Sequence, residues 1–289
     1  MSDTVTIPVS APAGSRLGNL GFAIGLGICG IVVLMAVFGN LVVPHDPFTQ
    51  NLNGRLIPPA FMEGGSFDHL LGTDQIGRDY LARLVYGARI SLMIGLSTVV
   101  TSGLIGITLG VIGGFFGGKI DDVVLFAITC RLSIPIVLVA LAVVGLLGSS
   151  LLLVLAVLGL LLWDRFAVVA RATTMQIRNL DYVSAALCAG ISTPQLLLRE
   201  ILPNIAPHIA VVATLEAALA ILLEAALSFL GLGVPSPLPS WGLMIAEGKD
   251  YMFFSRWVIM IPGVALLILV LGINLVGDGL RNVLSARRM

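Results

Sequence analysis

The sequence predicts an all-α integral membrane protein with six transmembrane helices. Three observations carry that expectation. Of 289 residues, 57% are hydrophobic and only 11% charged, and the mean hydropathy is +1.04, whereas soluble domains are about 25% charged. Long charge-free runs recur, each long enough to reach across a hydrocarbon core of ~30 Å as a helix of about 20 residues. The lysines and arginines near the ends of these runs fit one orientation, with the N-terminus in the cytoplasm.

A formal net charge of zero leaves no basic field for nucleic acid and no acidic tail. Cys29, Cys130 and Cys188 lack CxxC spacing and read as three unpaired thiols rather than a disulfide framework or zinc site.

Residues 1–19, MSDTVTIPVSAPAGSRLGN, are small, polar and proline-bearing. They lack the basic start, apolar core and cleavage signal of a secretory leader, so a short cytoplasmic tail is expected, followed by a first span over 20–43. The loop at 44–89 opens with PHDPFTQ and RLIPPAF, whose prolines favour extended and turning backbone. From Gln75 onward, Ile76, Tyr80, Leu81, Leu84 and Val85 recur at helical intervals with Arg78, Asp79 and Arg83 between them. That pattern predicts an amphipathic helix at the membrane surface, serving either to meet a soluble partner or to cover the helix bundle.

The second span is expected at 90–116, rich in glycines that allow close helix approach. Charge-free residues 132–163 are too many for one crossing and suit two, broken near GLLGSS at 145–150. The fifth span is expected at 205–232 and the sixth at 257–276, before the basic ending RNVLSARRM. GGFFGGK at 113–119 approaches the phosphate-cradling GxxxxGK pattern, but Ile120 stands where Ser or Thr would hold magnesium. A tight inner turn is the better reading.

Between spans four and five lies DYVSAALCAGISTPQLLLREILPN, residues 181–204. Asn179 or Asp181 can cap a short helix, Gly190 can end it in a left-handed turn, Ser192 or Thr193 can cap a second, and Pro203 is expected to stop that second helix. Each helix is only ~12 to 15 Å long, too short to persist alone in water. A partner surface must pack on them.

Charges inside spans cost about 2.5 to 3.5 kcal/mol at a helix centre on insertion scales, which singles out Arg131, Asp164, Glu216, Glu224 and Asp278. Glu216 and Glu224 lie about two turns apart on one broad face. That face lines a water-filled path, or each acid pairs with a neighbouring helix, Arg131 being one conceivable partner. His45, His69 and His208 are isolated in sequence and no HExxH is present, so no catalytic, cofactor or metal residue is assigned.

The 181–204 stretch resembles the cytoplasmic "EAA" loop of ABC-importer permeases, with Ala185, Ala186, Gly190 and Leu202-Pro203-Asn204 in the expected places. LGTDQIGRDYLARLVYGARISL at 71–92, ALSFLGLGVPSPLPSWGLMIAEG at 226–248 and NLVGDGLRNVL at 274–284 look like the dipeptide, oligopeptide and nickel permease family, specifically its C-type subunit. The resemblance implies an ABC-importer type I permease fold, with a permease core at 90–280 that includes a coupling loop at 171–204, and a cytoplasmic tail at 281–289. It implies half of a translocation pathway for peptides or a related small solute, in a bacterial plasma (inner) membrane. Nickel, glutathione or another conjugate are the alternative cargoes.

Four kinds of partner are implied: a homologous second permease forming a heterodimer, two ATPase subunits carrying ATP and Mg, an extracytoplasmic substrate-binding protein, and membrane lipid. The ATPase-coupling residues it implies are Asp181, Tyr182, Ser184, Ala185, Ala186, Ala189, Gly190 and Pro203, with Ser184 standing where the motif has Glu. Periplasmic-side contacts are implied at Asp74, Gly77, Arg78, Asp79 and Trp241. The rival class, a self-sufficient channel or secondary transporter, would show inverted repeats or broken helices with paired ions at mid-membrane; a membrane enzyme has no motif in its favour.

Overall fold

The computed structural model describes residues 14–286. Most of the predicted N-terminal tail, and Arg287 and Arg288 of the C-terminal one, lie outside the described residues. Eleven α-helices follow in order: α1 Gly14–Val42, α2 Tyr80–Phe116, α3 Gly118–Ser133, α4 Ile136–Leu147, α5 Leu151–Leu161, α6 Asp164–Arg178, α7 Asp181–Cys188, α8 Thr193–Leu196, α9 Leu202–Phe229, α10 Trp241–Gly248 and α11 Trp257–Ala286. Among the described residues no strand forms. Five helical segments are long and apolar enough to cross a membrane, and the bent pair α3–α4 brings the number to six when it is counted as one broken span.

The predicted amphipathic surface helix is not a separate element. Residues 75–79 are loop, and α2 starts at Tyr80 and runs 37 residues without a break into the second span. Asp79 starts it, its carboxylate accepting the Ala82 N–H at 2.7 Å, as an N-cap should. At 1.5 Å per residue α2 is about 55 Å long, well beyond a ~30 Å hydrocarbon core. The charges that suggested a wet face, Arg78, Asp79 and Arg83, are buried. They find partners inside the protein, which the helical spacing alone does not reveal.

Gly117 and Gly118, at φ +68° and +55°, turn α2 into α3 as the GGFFGGK stretch suggested. The third crossing then begins at Gly118 rather than near 132, and it bends by 78° between α3 and α4. Pro135 causes the bend: the residue before a proline avoids the helical region, and Ile134 is extended. The Arg131 guanidinium donates to the Leu161 and Ile134 carbonyls, so it braces this break against the end of α5 instead of pairing with Glu216.

Gly148 and the Ser150 cap separate α4 from α5, within the 145–150 break. The fourth crossing does not end near 163, because α5 and α6 continue as one 28-residue helical segment to Arg178. Pro203 does not stop a helix either. A π turn at Leu197–Ile201 widens the backbone just ahead of it, where a missing proline N–H and its ring are accommodated. Thr193–Phe229 is thereby one continuous 37-residue helical segment.

Packing ranks the spans. Only 11% of the apolar window of α1 is buried against 44% in α2 and in the α5–α6 segment, so α2 and α6 form the centre and α1 lies at the edge, against α11. A β-carbon on Gly110 would sit 2.5 Å from the Ala167 carbonyl oxygen, and Gly106 and Gly114, one turn either side, are as tight against Trp163 and Arg171. Small residues at every fourth position thus bring the α2 and α6 backbones together, the usual device for helix contact in lipid. Since successive spans alternate in direction, the 43–79 loop and α10 share one end of the bundle, and α7–α8 and the α2–α3 turn share the other.

Candidate functional site

At one end, α7 and α8 form an exposed helix-turn-helix on a buried footing. Val183 and Leu196 are fully buried and pack with Val111, Phe115, Ala170 and Ile205 from α2, α6 and α9. α7 ends in a Schellman turn: the Ile191 N–H donates to the Ala186 carbonyl at 3.2 Å and the Gly190 N–H to the Leu187 carbonyl at 3.0 Å, with Gly190 at φ +81°. That is the left-handed turn expected of this glycine. Neither Asn179 nor Asp181 caps α7; Leu180 takes that position with no side-chain bond.

Asp181, Tyr182, Ser184, Ala185, Ala189, Gly190 and Pro203 are exposed, and Ala186 is half-buried. Leu187, Ile191 and Leu198 add exposed apolar area, Leu198 at 64%. The outward surface therefore combines small residues, Ser184, Ala185, Ala189 and Gly190, with exposed apolar ones, a composition that lets another backbone approach closely. Tyr182 has its hydroxyl 3.5 Å from the Asn204 amide, and burial and then the nearby Glu200 push its phenol above the ordinary value. Arg171 makes a two-pronged pair with Asp121 at 2.5 and 2.6 Å, fastening α6 to α3 at this end. Sequence reasoning missed this pair: fifty positions separate its members, and no local pattern joins them.

In the middle of the bundle, Glu216 and Glu224 are both fully buried. Glu216 lies 3.2 Å from Arg165 Nη1, tying α9 to the start of α6, where Asp164 is also buried. Glu224 Oε1 accepts from Ser228 at 2.7 Å and from Ser240, the cap of α10, at 2.8 Å. The two acids thus serve different helix contacts, and Asp278 is exposed on α11.

At the opposite end, four charges interlock. Asp74 Oδ2 accepts from Arg78 Nε at 2.5 Å and lies 3.2 Å from Arg83 Nη1; Glu247 Oε2 lies 2.7 Å from Arg83 Nη2 and 3.3 Å from Arg78 Nη2. Burial pushes the Glu247 carboxyl above its ordinary range, with the Arg78 charge pulling the other way. Trp241 is buried, its indole N–H donating to the Leu84 carbonyl at 2.8 Å, and Gly77 is a left-handed turn pressed onto the Asn51 carbonyl. These expected contact residues face inward. Asp74, Arg78 and Trp241 shape the cap from within, and Glu247, which the spacing did not single out, completes it.

Residues 106–289 match the family described as binding-protein-dependent transport system inner membrane component, and residues 18–59 match the N-terminal TM domain of oligopeptide transport permease C. The di/tripeptide transport system permease protein DppC of Pseudomonas aeruginosa is 41% identical over 93% of this chain and 89% of its own length. The dipeptide transport system permease protein DppC of Haemophilus influenzae is 39% identical over 93% and 91%. Among solved structures, the inward-facing MetNI methionine ABC transporter matches with a TM-score of 0.57 at 20% identity, covering 71% of this chain and 95% of that one.

Proposed function

The chain belongs to the family of binding-protein-dependent transport system inner membrane components and is an ABC-importer permease subunit, and from that premise we propose its cargo, partners and coupling element. The cargo is a peptide, as the names of relatives that align over 93% of the chain suggest. A homologous permease supplies the second half of the pathway, two ATPase chains supply ATP and magnesium, and an extracytoplasmic binding protein delivers the peptide. Both termini and the α7–α8 turn lie on the cytoplasmic side.

One observation carries the coupling role: α7–Gly190–α8 is exposed outward yet anchored inward by Val183 and Leu196. A footing of that kind moves with whatever seats on it. From Thr193 the helical segment runs unbroken to Phe229, passing Glu216 and reaching the Ser240 contact of Glu224. A push on the loop by closing ATPases is delivered along this lever to the far cap.

Two measurements test the reading. A β-carbon at Gly190 meets nothing within 4 Å, so Gly190→Trp projects into open space at a local cost of about 1 kcal/mol for the left-handed turn. The expected result is a folded permease that no longer retains ATPase chains on purification; full retention overturns the coupling assignment. For cargo, uptake of a labelled dipeptide is expected to be abolished by deleting the chain and competed by other di- and tripeptides. Uptake indifferent to the deletion overturns the peptide reading.

A further inference from the structure

The fold brings together two histidines that sequence spacing leaves isolated. His45 follows the end of α1 by three residues, His69 sits in the extended loop, and Asp79 caps α2. Their ligand atoms all lie within 4.8 Å of one another. Asp79 Oδ2 is 2.8 Å from His69 Nδ1 and 3.5 Å from His45 Nδ1, and the two imidazole rings stand 4.9 Å apart.

We propose that His45, His69 and Asp79 form a binding site for a divalent transition metal of the zinc type at the cap end of the bundle. Two imidazole nitrogens and one carboxylate oxygen are the donor set such ions favour. Zinc bonds of ~2.0 to 2.2 Å place tetrahedral ligand atoms roughly 3.3 Å apart, and the 2.8 and 3.5 Å separations from Asp79 fall on either side of that value. The ligand atoms all lie within 4.8 Å of one another, so a side-chain shift of at most about 1.5 Å brings the remaining pair to that spacing.

The surroundings fit the assignment. Asp79 uses Oδ1 for the Ala82 N–H, which orients the carboxylate and leaves Oδ2 facing the two rings; ligating carboxylates are commonly held by such an outer bond. Asp46, the nearest further acid in sequence, has its oxygens engaged by the Phe48 N–H and the Thr49 hydroxyl. A cavity of about 370 Å³, lined in part by His45, Asn51, His69 and Asp79, gives room for water as a fourth ligand. Asp79 is buried while His45 is half-exposed, so an ion reaches the site from the cavity side.

A simple hydrogen bond from His69 to the helix cap explains one of these imidazoles. It does not explain why the His45 Nδ1 converges on the same carboxylate oxygen. A metal there ties three separate pieces of chain, the exit of the first span, the long loop and the entrance of the second span, and so stiffens the surface on which a delivering protein must land.

The test uses the full-length chain purified with its partner subunits through a tag free of histidine, stripped with chelator, and titrated with zinc against a chromophoric chelator. Wild-type protein is expected to bind one zinc per copy of this chain and to gain thermal stability from it. His45→Ala is expected to weaken that binding at least ~10-fold and to lose the thermal gain. Since His45 is half-exposed, its replacement leaves the fold intact, and His45→Gln serves as a second variant that keeps the polar surface. Absence of zinc binding by wild type, or equal binding by wild type and both variants, overturns the proposal.

Discussion

Asp74 accepts bonds from the Ile76 and Arg78 N–H groups, at 2.9 Å each, in addition to its contacts with both guanidiniums. Removing it leaves two buried arginines with Glu247 alone. Asp74→Ala is therefore expected to cost about 3 to 5 kcal/mol, the usual penalty for an uncompensated buried charge, seen as a lowered unfolding midpoint in detergent. Glu247→Gln is expected to be milder, because burial already opposes that carboxylate. The folded protein holds the Glu247 proton more tightly than the unfolded chain does. Its contribution is thus fully present below the ordinary carboxylate pKa and is lost as pH rises through the raised value. Relative to wild type, Glu247→Gln should gain stability as pH increases across that window; a constant difference would show that its charge state is the same in both forms. Arg78, Asp79 and Arg83 were legible as a periodic group, but not the direction they face, since Glu247 lies 164 positions beyond Arg83.

At the scale of elements, the α2–α6 contact and the π turn are the two features on which the rest depends. Gly110→Leu puts a branched chain where even a β-carbon is 2.5 Å from a backbone oxygen and 2.8 Å from Ala170 Cβ. Overpacking of this kind costs about 1 to 3 kcal/mol or more, and here the helices must part, so loss of folded protein from the membrane is expected. The glycine richness of this span pointed to close approach, but not to which helix approaches.

Pro203 gives the opposite case. With alanine there, the missing N–H is restored and the turn at Leu197–Ile201 is expected to relax to regular helix, rotating everything N-terminal to it by roughly 100° about the axis of α9. Pro203→Ala should then turn the buried Val183 and Leu196 out of their footing, lowering the unfolding midpoint in detergent, while transport per ATP falls several-fold. Unchanged transport with unchanged crosslinking from Ser184→Cys to the ATPase would mean that the turn persists without proline. A proline near a helix boundary reads as a stop, and only the packing of Leu196 and Ile201, both fully buried, holds the two sides in line.

For the whole molecule, the number of crossings was legible because each needs a long apolar run, whereas the bend at Pro135 and the neighbours of each span depend on contacts that hydropathy does not record. The count has a consequence for sidedness. Six crossings put the start of α1 and the end of α11 on one side, and the alternation puts α7–α8 on that same side and the 43–79 loop opposite. Lys119, Arg171 and Arg178 fall at the α7–α8 end, and basic residues near span ends favour the cytoplasm. The protein's own cysteines make this measurable: Cys188 is exposed in α7, whereas Cys29 and Cys130 lie within the α1 and α3 spans. Phe67, 86% exposed in the long loop, provides the opposite marker as Phe67→Cys. A membrane-impermeant maleimide applied from the extracytoplasmic side is expected to label Phe67→Cys in sealed membranes, and Cys188 only once they are opened. Labelling of Cys188 in sealed membranes would reverse the orientation, remove α7–α8 from the reach of any cytoplasmic ATPase, and force the coupling role onto another part of the chain.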